Sequence, residues 1–441
     1  MAAPVFPATV SKLDNGLTFI HQYLPTTPVV VADVWLKAGA QREPENWSGM
    51  AHFLEHMIFK GTATLPPGAF DREIENRGGM TNAATSHDYA HYFLITAVPY
   101  LEETLPHLAE LLLNAAIPES EFALEREVVL EEIRQAYDDP DWLGNQALCE
   151  SVYPCHPYGR SVLGTEQELM QQSPEAMRCF HRAHYQPENM TVVIVGGIDL
   201  EPAMELVNQT FQQFQQRSCC PPPAATGATL NALPKAAPAN RPLQPRSSEN
   251  LLPFPSGIRR QELYLPRIEQ ARLLMAWRGP GVEQISSAYG LDLLSVILAH
   301  GRSSRLVWEL REEQQLVQAI NCDFLLQRES SLFTISAWLE PQHLEQVESL
   351  ISKYLENLQN TPVLPGELSR CQRLLCNDYA FSMETPNQMA SLYGYYNTLA
   401  TAELAVLYPQ RIQSFQSEHL QCLAQQYLSP QDYVVTILKP C

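Results

Sequence analysis

Residues 190–197 read Met-Thr-Val-Val-Ile-Val-Gly-Gly, and residues 433–438 read Tyr-Val-Val-Thr-Ile-Leu. Both runs are short, apolar and rich in β-branched residues, the pattern of a strand buried on both faces. Each follows a similar lead-in, Tyr185-Gln-Pro-Glu-Asn189 in one case and Tyr427-Leu-Ser-Pro-Gln431 in the other. A buried strand that recurs together with its approach signals a duplicated plan.

The flanking sequence extends the repeat. Ahead of the first run, residues 17–38 hold two β-rich stretches split by Pro25 and Pro28. Residues 48–60 and 69–77 read as helices, the second stopped by Gly78-Gly79, and residues 80–98 as two strands. Residues 101–115 and 119–137 have helical periodicity, and the latter is halted at Asp138-Asp139-Pro140. The layout then restarts. Residues 261–277 resemble a strand pair, 285–300 a helix, 331–338 a strand, and 342–358 and 365–381 helices. Between the two parts, residues 217–256 are rich in Pro, Ala and Ser and read as an extended linker. The expectation is an α+β fold of two homologous halves, residues 1–216 and 257–441. Gly61 and Gly301 each close the first helix of their half. Aligned on them, His52 falls on Asp292, Glu55 on Ser295 and His56 on Val296, so only the first half carries the residues singled out next.

Those residues lie in Ala51-His52-Phe53-Leu54-Glu55-His56-Met57. At 100° per residue, His52, Glu55 and His56 share one helix face while Phe53, Leu54 and Met57 point toward a core. Two imidazoles one turn apart can hold one Zn²⁺, with Glu55 placed to take a proton from water. The order H-x-x-E-H is that of the inverzincins. A third ligand must come from elsewhere, and the helix at 119–137 is densely acidic. Glu125 and Glu132 are two turns apart on one face. Glu132 serves as third ligand in this reading, with Glu125 orienting a histidine from behind, although spacing alone does not separate Glu132 from Glu131. His87 and His91 stand four apart in a β-rich stretch, where that spacing gives no common face. Cys371 and Cys376 read as thiols on a helix, and the tyrosines of residues 392–396 as packing.

The chain has 441 residues, 45% of them hydrophobic and 18% charged, enough to bury large cores. With 29 basic and 49 acidic residues the net charge is −20. That excludes nucleic acid as the main partner and suits soluble behaviour or basic ligands. Ten cysteines without a CxxC pair do not make a disulfide framework. The N-terminus shows no basic segment leading into an apolar one, and no run reaches the roughly 18 apolar residues that span a bilayer. A cytoplasmic chain without a membrane partner is expected.

His52–His56 followed by Leu124-Glu-Arg-Glu-Val-Val-Leu-Glu-Glu-Ile133 resembles the pitrilysin/insulinase family of metallopeptidases, in particular its processing-peptidase-like branch. In that family the ligand glutamate lies about 76 residues after the second histidine, which is Glu132 here, and a second glutamate falls on Glu125. Phe59-Lys-Gly-Thr62, Asn82-Ala-Ala-Thr85, Asp138-Asp-Pro140, His156-Pro-Tyr-Gly159, Leu163-Gly-Thr165, Ser303-Ser-Arg-Leu306 and Leu310-Arg-Glu312 match as well. The resemblance implies one zinc ion per chain on His52, His56 and Glu132, with Glu55 and Glu125 as catalytic carboxylates. It implies two halves that meet as a clamshell around peptide or unfolded substrates. It also implies that substrate adds as a strand near Asn82, Ala83 and Ala84.

One departure matters. Active members carry an arginine and a tyrosine seven residues apart that bind substrate and stabilise the oxyanion. The arginine matches Arg311, but the tyrosine position holds Gln318. The resemblance therefore implies a heterodimer with a homologous, zinc-less partner that supplies the pair, with a homodimer as the alternative. A competing reading is a non-catalytic assembly or binding subunit of the same fold.

Overall fold

Residues 29–36 and 190–196 are mostly apolar and buried without alternation, whereas residues 90–97 alternate strictly between buried and half-buried. The first two therefore belong in the middle of a sheet and the third nearer an edge. The computed structural model describes residues 6–211, 254 and 256–441 and places them so. The first half runs β1 (Thr9–Lys12), β2 (Thr18–Tyr23), β3 (Val29–Leu36), α1 (Met50–Ile58), α2 (Ala69–Glu75), β4 (Met80–Thr85) and β5 (Ala90–Ala97). It continues with α3 (Leu101–Asn114), α4 (Glu119–Asp138), α5 (Pro140–Val152), α6 (Glu166–Gln171), α7 (Pro174–His184), β6 (Met190–Gly196) and α8 (Leu200–Phe211). The second half runs β7 (Ile258–Leu265), β8 (Ala271–Pro280), α9 (Ile285–Ala299), a π-helical turn (Val307–Glu313), β9 (Val317–Leu326) and β10 (Ser330–Leu339). After these come α10 (Leu344–Asn360), α11 (Pro365–Phe381), α12 (Pro386–Leu399), α13 (Leu404–Ser414), α14 (Ser417–Tyr427) and β11 (Tyr433–Pro440).

The first sheet has the order β1-β2-β6-β3-β5-β4 and the second β7-β11-β8-β10-β9. In both, the strand that ends the half lies between a parallel neighbour (β2 or β7) and an antiparallel one (β3 or β8). The expected α+β duplication is therefore present strand for strand, with β1 added at one edge. The residues expected to form the linker, 217–256, lie outside the described residues apart from 254 and 256.

The halves exchange helices. α12 of the second half lies across β3 and β6, and α5 of the first lies across β8 and β11. Ile20, Val31, Trp35, Val193 and Val195 of the first sheet thus share a core with the second half. Leu148, Val152 and Tyr153 pack in turn against Leu274, Val434 and Leu438. A glycine makes each approach possible: Gly394 faces the Trp35 ring, and Gly144 faces Leu438 and Leu274. Tyr393 and Tyr396 are buried in this packing, as expected for that stretch. Pro140 halts α4 and opens α5, whose N-cap Asp139 accepts the Asp141 amide at 2.9 Å. The described cysteines are free. The span Val282–Ala299 is long and apolar enough to cross a membrane, but 67% of it is buried within the chain, as a core helix is.

Candidate metal centre

α1 has only nine residues, and burial fixes its orientation. Met50, Ala51, Phe53, Leu54, Met57 and Ile58 are buried, leaving His52, Glu55 and His56 on the opposite face. α4 packs against α1 through Phe122, whose ring lies 4.6 Å from that of Phe53. This contact carries Glu125 and Glu132 to the histidines and leaves Glu131 on the exposed side, in an ion pair with Arg134. The choice that spacing left open is thus made by the packing of α4.

Glu132 Oε2 lies 3.4 Å from His56 Nε2 and 3.7 Å from His52 Nε2. Donors bound to one zinc at about 2.0–2.1 Å in tetrahedral array stand roughly 3.3 Å apart, so the three fit one ion. Among the described residues this is the one group of three or more His, Cys, Asp or Glu side chains close enough to share a metal. Two neutral imidazoles and a carboxylate suit zinc.

The two rings are held differently. His56 Nδ1 donates to Glu125 Oε1 at 2.9 Å, and Lys60 Nζ meets the other oxygen of Glu125 at 2.5 Å. The acceptor on Nδ1 leaves the His56 Nε2 lone pair facing Glu132. His52 Nδ1 is buried with no hydrogen-bond partner among the described residues. Burial and the neighbouring His56 lower the His52 pKa to about 4, so the ring is neutral at pH 7. Burial works against the charged form of His56 too, but the Glu125 bond and the charges of Glu132, Glu125 and Glu55 outweigh it and raise its pKa. Burial raises the Glu55 carboxyl, opposed by a 2.6 Å hydrogen bond from the Thr85 hydroxyl. Burial acts on Glu125 in the same sense, but the bonds from His56 and Lys60 prevail and lower it.

Thr85 ends β4, which pairs with β5 on one side and is the outer strand of its sheet. Asn82 and Ala84 are exposed and Ala83 is half-buried on this edge. Arg311 and Gln318 are not brought to the cluster. The Arg311 guanidinium pairs with its neighbour Glu312, and Gln318 is exposed on β9 in the second sheet. His87 bonds to the Arg160 carbonyl and His91 to Asp33, so neither joins the metal group.

Three residues beside the site had no role assigned from sequence. Lys60, four after His56, could have been found by helical spacing. Thr85 reaches Glu55 only through the tertiary fold. Glu43 accepts the backbone amides of Gly49 at 3.2 Å and Ala51 at 2.7 Å, where α1 begins. Burial raises its carboxyl to about 8 against the pull of those two amides.

Two different family models match successive stretches of the chain. Residues 18–166 match the family described as Insulinase (Peptidase family M16), and residues 172–375 match Peptidase M16 inactive domain. The zinc protease PqqE of Helicobacter pylori is 27% identical, over 97% of this chain and 92% of its own. YmxG of Bacillus subtilis, termed an uncharacterized zinc protease, is 26% identical over 97% of both chains. Among solved structures, a protease from Helicobacter pylori superposes with a TM-score of 0.85 at 24% identity, over 98% of this chain and 99% of its own. A putative M16-like peptidase from Alicyclobacillus acidocaldarius gives 0.82 at 19% identity, with both chains covered in full. At these identities the structures speak to fold alone.

Proposed function

Because the chain belongs to the insulinase family of metallopeptidases, family M16, we propose that it is a zinc-dependent endopeptidase subunit that hydrolyses peptides or unfolded segments. The observation that carries the reading is the convergence of His52 Nε2 and His56 Nε2 on Glu132 Oε2, at 3.7 and 3.4 Å respectively. A divalent ion held there supplies Lewis acidity, lowering the pKa of water toward about 7 and drawing charge from a peptide carbonyl.

The chain's own residues do the rest. Glu55 takes the proton from the attacking water and passes it to the departing amine as the C–N bond breaks. Its raised pKa suits both roles, and the Thr85 hydroxyl fixes one carboxylate oxygen so that the other meets the proton. Glu125 and Lys60 hold the His56 ring in one tautomer. The outer edge of β4 offers backbone groups to an extended peptide at Asn82, Ala83 and Ala84, and the small side chains of the two alanines allow close approach. Thr85 continues that strand directly to Glu55, so a peptide paired with β4 lies beside the base.

The oxyanion needs donors as well. Arg311 is engaged by Glu312, and Gln318 stands where a phenol is expected, which favours a homologous, zinc-less partner that supplies the Arg/Tyr pair. A homodimer in which Arg311 of a second copy serves is the alternative. The Gln318 departure also favours a second reading, a non-catalytic subunit. Metal content by elemental analysis and cleavage of a quenched peptide, with Glu55→Gln as control, separate these. One zinc per chain, and cleavage that begins when a homologous subunit is added, is the expected result. Full activity of the isolated chain removes the split site, metal bound without cleavage in any pairing selects the second reading, and a chain that stays metal-free in excess zinc ends the enzymatic one.

A further inference from the structure

The two metal-facing histidines are anchored by different means. His56 is held by its ring, through Glu125 and Lys60. His52 has no such hold, because its buried Nδ1 finds no hydrogen-bond partner among the described residues. The position of the His52 ring therefore depends on its edge contact with His56, at 4.9 Å between ring centroids, and on its backbone, at the third residue of α1.

That first turn, like that of α2, begins at a left-handed glycine with no side-chain cap of its own. α5, α6, α7 and α12 are each capped by their own N-cap side chain, from Asp139, Thr165, Ser173 and Thr385. α1 has Gly49 at that position, in the left-handed region at φ 82, with no side chain to offer. Nor is there room for one. A Cβ on Gly49 would meet the Leu163 carbonyl oxygen at 2.5 Å and Gly164 Cα at 3.0 Å. The neighbouring Ser48 carbonyl is taken by Gln172 Nε2 at 2.9 Å. The start of α1 is thus wedged among residues 163–164 and 172, and a cap can enter only from another segment.

Glu43 enters there. It is buried, with one carboxylate oxygen on the Gly49 amide and the other, at 2.7 Å, on the amide of Ala51, the residue before His52. A carboxyl group placed on the first amides of a helix satisfies otherwise unpaired donors. Its carbonyl oxygen accepts in either protonation state, so the shorter bond to Ala51 persists when the group is neutral.

We propose that Glu43 is the positioning residue for His52, fixing through the amides of Gly49 and Ala51 the first turn of α1 on which that ring depends. The proposal rests on the metallopeptidase reading for its consequence but not for its geometry. It also accounts for Leu163-Gly-Thr165, a stretch with no chemistry of its own, as the wall that excludes a local cap. Loss of Glu43 loosens His52 first and leaves His56 and Glu132 in place, so three ligands become two.

The test uses the full chain as wild type, Glu43→Gln and Glu43→Ala, with Gly394→Ala as a variant altered far from α1. Co²⁺ is titrated by its visible absorption, and zinc affinity is measured by competition with a chelator. Hydrogen exchange is followed at residues 49–52 and 125–132. The expected result is a roughly 10- to 100-fold loss of metal affinity in Glu43→Ala with a weakened Co²⁺ band. Glu43→Gln, which keeps one acceptor oxygen, falls between, and Gly394→Ala keeps wild-type affinity. Exchange accelerates at residues 49–52 and is unchanged at 125–132. Metal affinity within twofold of wild type in both Glu43 variants, or unchanged exchange at 49–52, overturns the proposal. If Glu43→Ala does not fold, Glu43→Gln decides by the same readouts. If the wild type itself binds no metal, the metallopeptidase reading fails, and exchange at 49–52 still decides whether Glu43 holds the turn.

Discussion

Replacing Gly394 by alanine tests the interlock between the halves. A Cβ at this position would come within 2.6 Å of Trp35 Cε2 and closer still to Nε1 and Cδ1. The indole cannot swing away. It is stacked on His91 with ring centroids 4.2 Å apart, lies 4.7 Å from Tyr89, and meets Tyr395 at 6.5 Å on the same helix as Gly394. Overpacking against a pinned ring costs about 3 kcal/mol, at the upper end for such changes. Alanine regains about 1 kcal/mol of helix propensity over glycine. The net loss is about 2 kcal/mol. Gly144→Ala is the matched control on the reciprocal helix α5. The three atoms nearest its Cβ would all be methyl groups, Leu438 Cδ1 at 2.6 Å, Leu274 Cδ1 at 3.2 Å and Leu274 Cδ2 at 3.5 Å. Rotamer adjustment of two leucines costs about 1 kcal/mol, which the propensity gain cancels. Urea unfolding followed by tryptophan fluorescence and circular dichroism reads both variants, since Trp35 reports the joint and Trp277 the second core. The reasoning is refuted if Gly394→Ala unfolds at the wild-type urea concentration, or if Gly144→Ala is the more damaged of the two.

Glu132→Gln lowers zinc affinity by more than about 100-fold, beyond the range seen for outer partners of a metal site, while Glu131→Gln binds as wild type; chelator competition on both variants checks this. Asp292→Asn flattens part of the pH dependence of stability. Burial raises the Asp292 carboxyl from 3.8 to about 6, so the unfolded chain ionises first and stability falls as pH rises from about 4 to about 6. At about 1.4 kcal/mol per pKa unit that is a loss of about 3 kcal/mol, absent in the variant, in which the amide oxygen can still accept from Tyr408; urea titrations of metal-free protein at pH 4 to 7 measure it. Gln315→Gly stabilises by up to about 1 kcal/mol, because Gln315 sits at φ 52 where a Cβ is strained, and a rise in melting temperature shows it.

What the sequence discloses follows from where each signal is stored. α1, α4 and the central strands β3, β6, β8 and β11 show plainly, because each is written in local periodicity or an unbroken apolar run. The metal face shows for the same reason, since His52, Glu55 and His56 are a single helical turn. β9 does not show. It is an edge strand whose Gln318, Asn321 and Asp323 break the apolar alternation that marks a strand. α5 and α12 leave no clear amphipathic pattern either, because each is a helix lent to the opposite sheet and is covered on more than one side. Glu132 over Glu131, Thr85 to Glu55 and Glu43 to α1 are all choices made by packing between distant segments. Of these, only the first has a signal in the sequence, through resemblance rather than through spacing.

The duplication itself explains why one half holds the candidate metal ligands. α1 and α9 occupy the same place in their halves and each is followed by a left-handed glycine, Gly61 or Gly301. α1 is buried on one face, with its other face opening toward the carboxylates of α4. α9 is buried nearly all round, from Ala288 to Ala299. At the positions of His52, Glu55 and His56 it carries Asp292, Ser295 and Val296. Asp292 is engaged by Tyr408 of α13, and the Ser295 hydroxyl turns back to the Asp292 carbonyl at 2.7 Å. The face that would point at a metal is therefore already filled by the packing of α11 and α13. A helix cannot present ligands and serve as the centre of a core at once. In the second half the core role has won, and that half is left to brace the first sheet through α12 while the first keeps the open face.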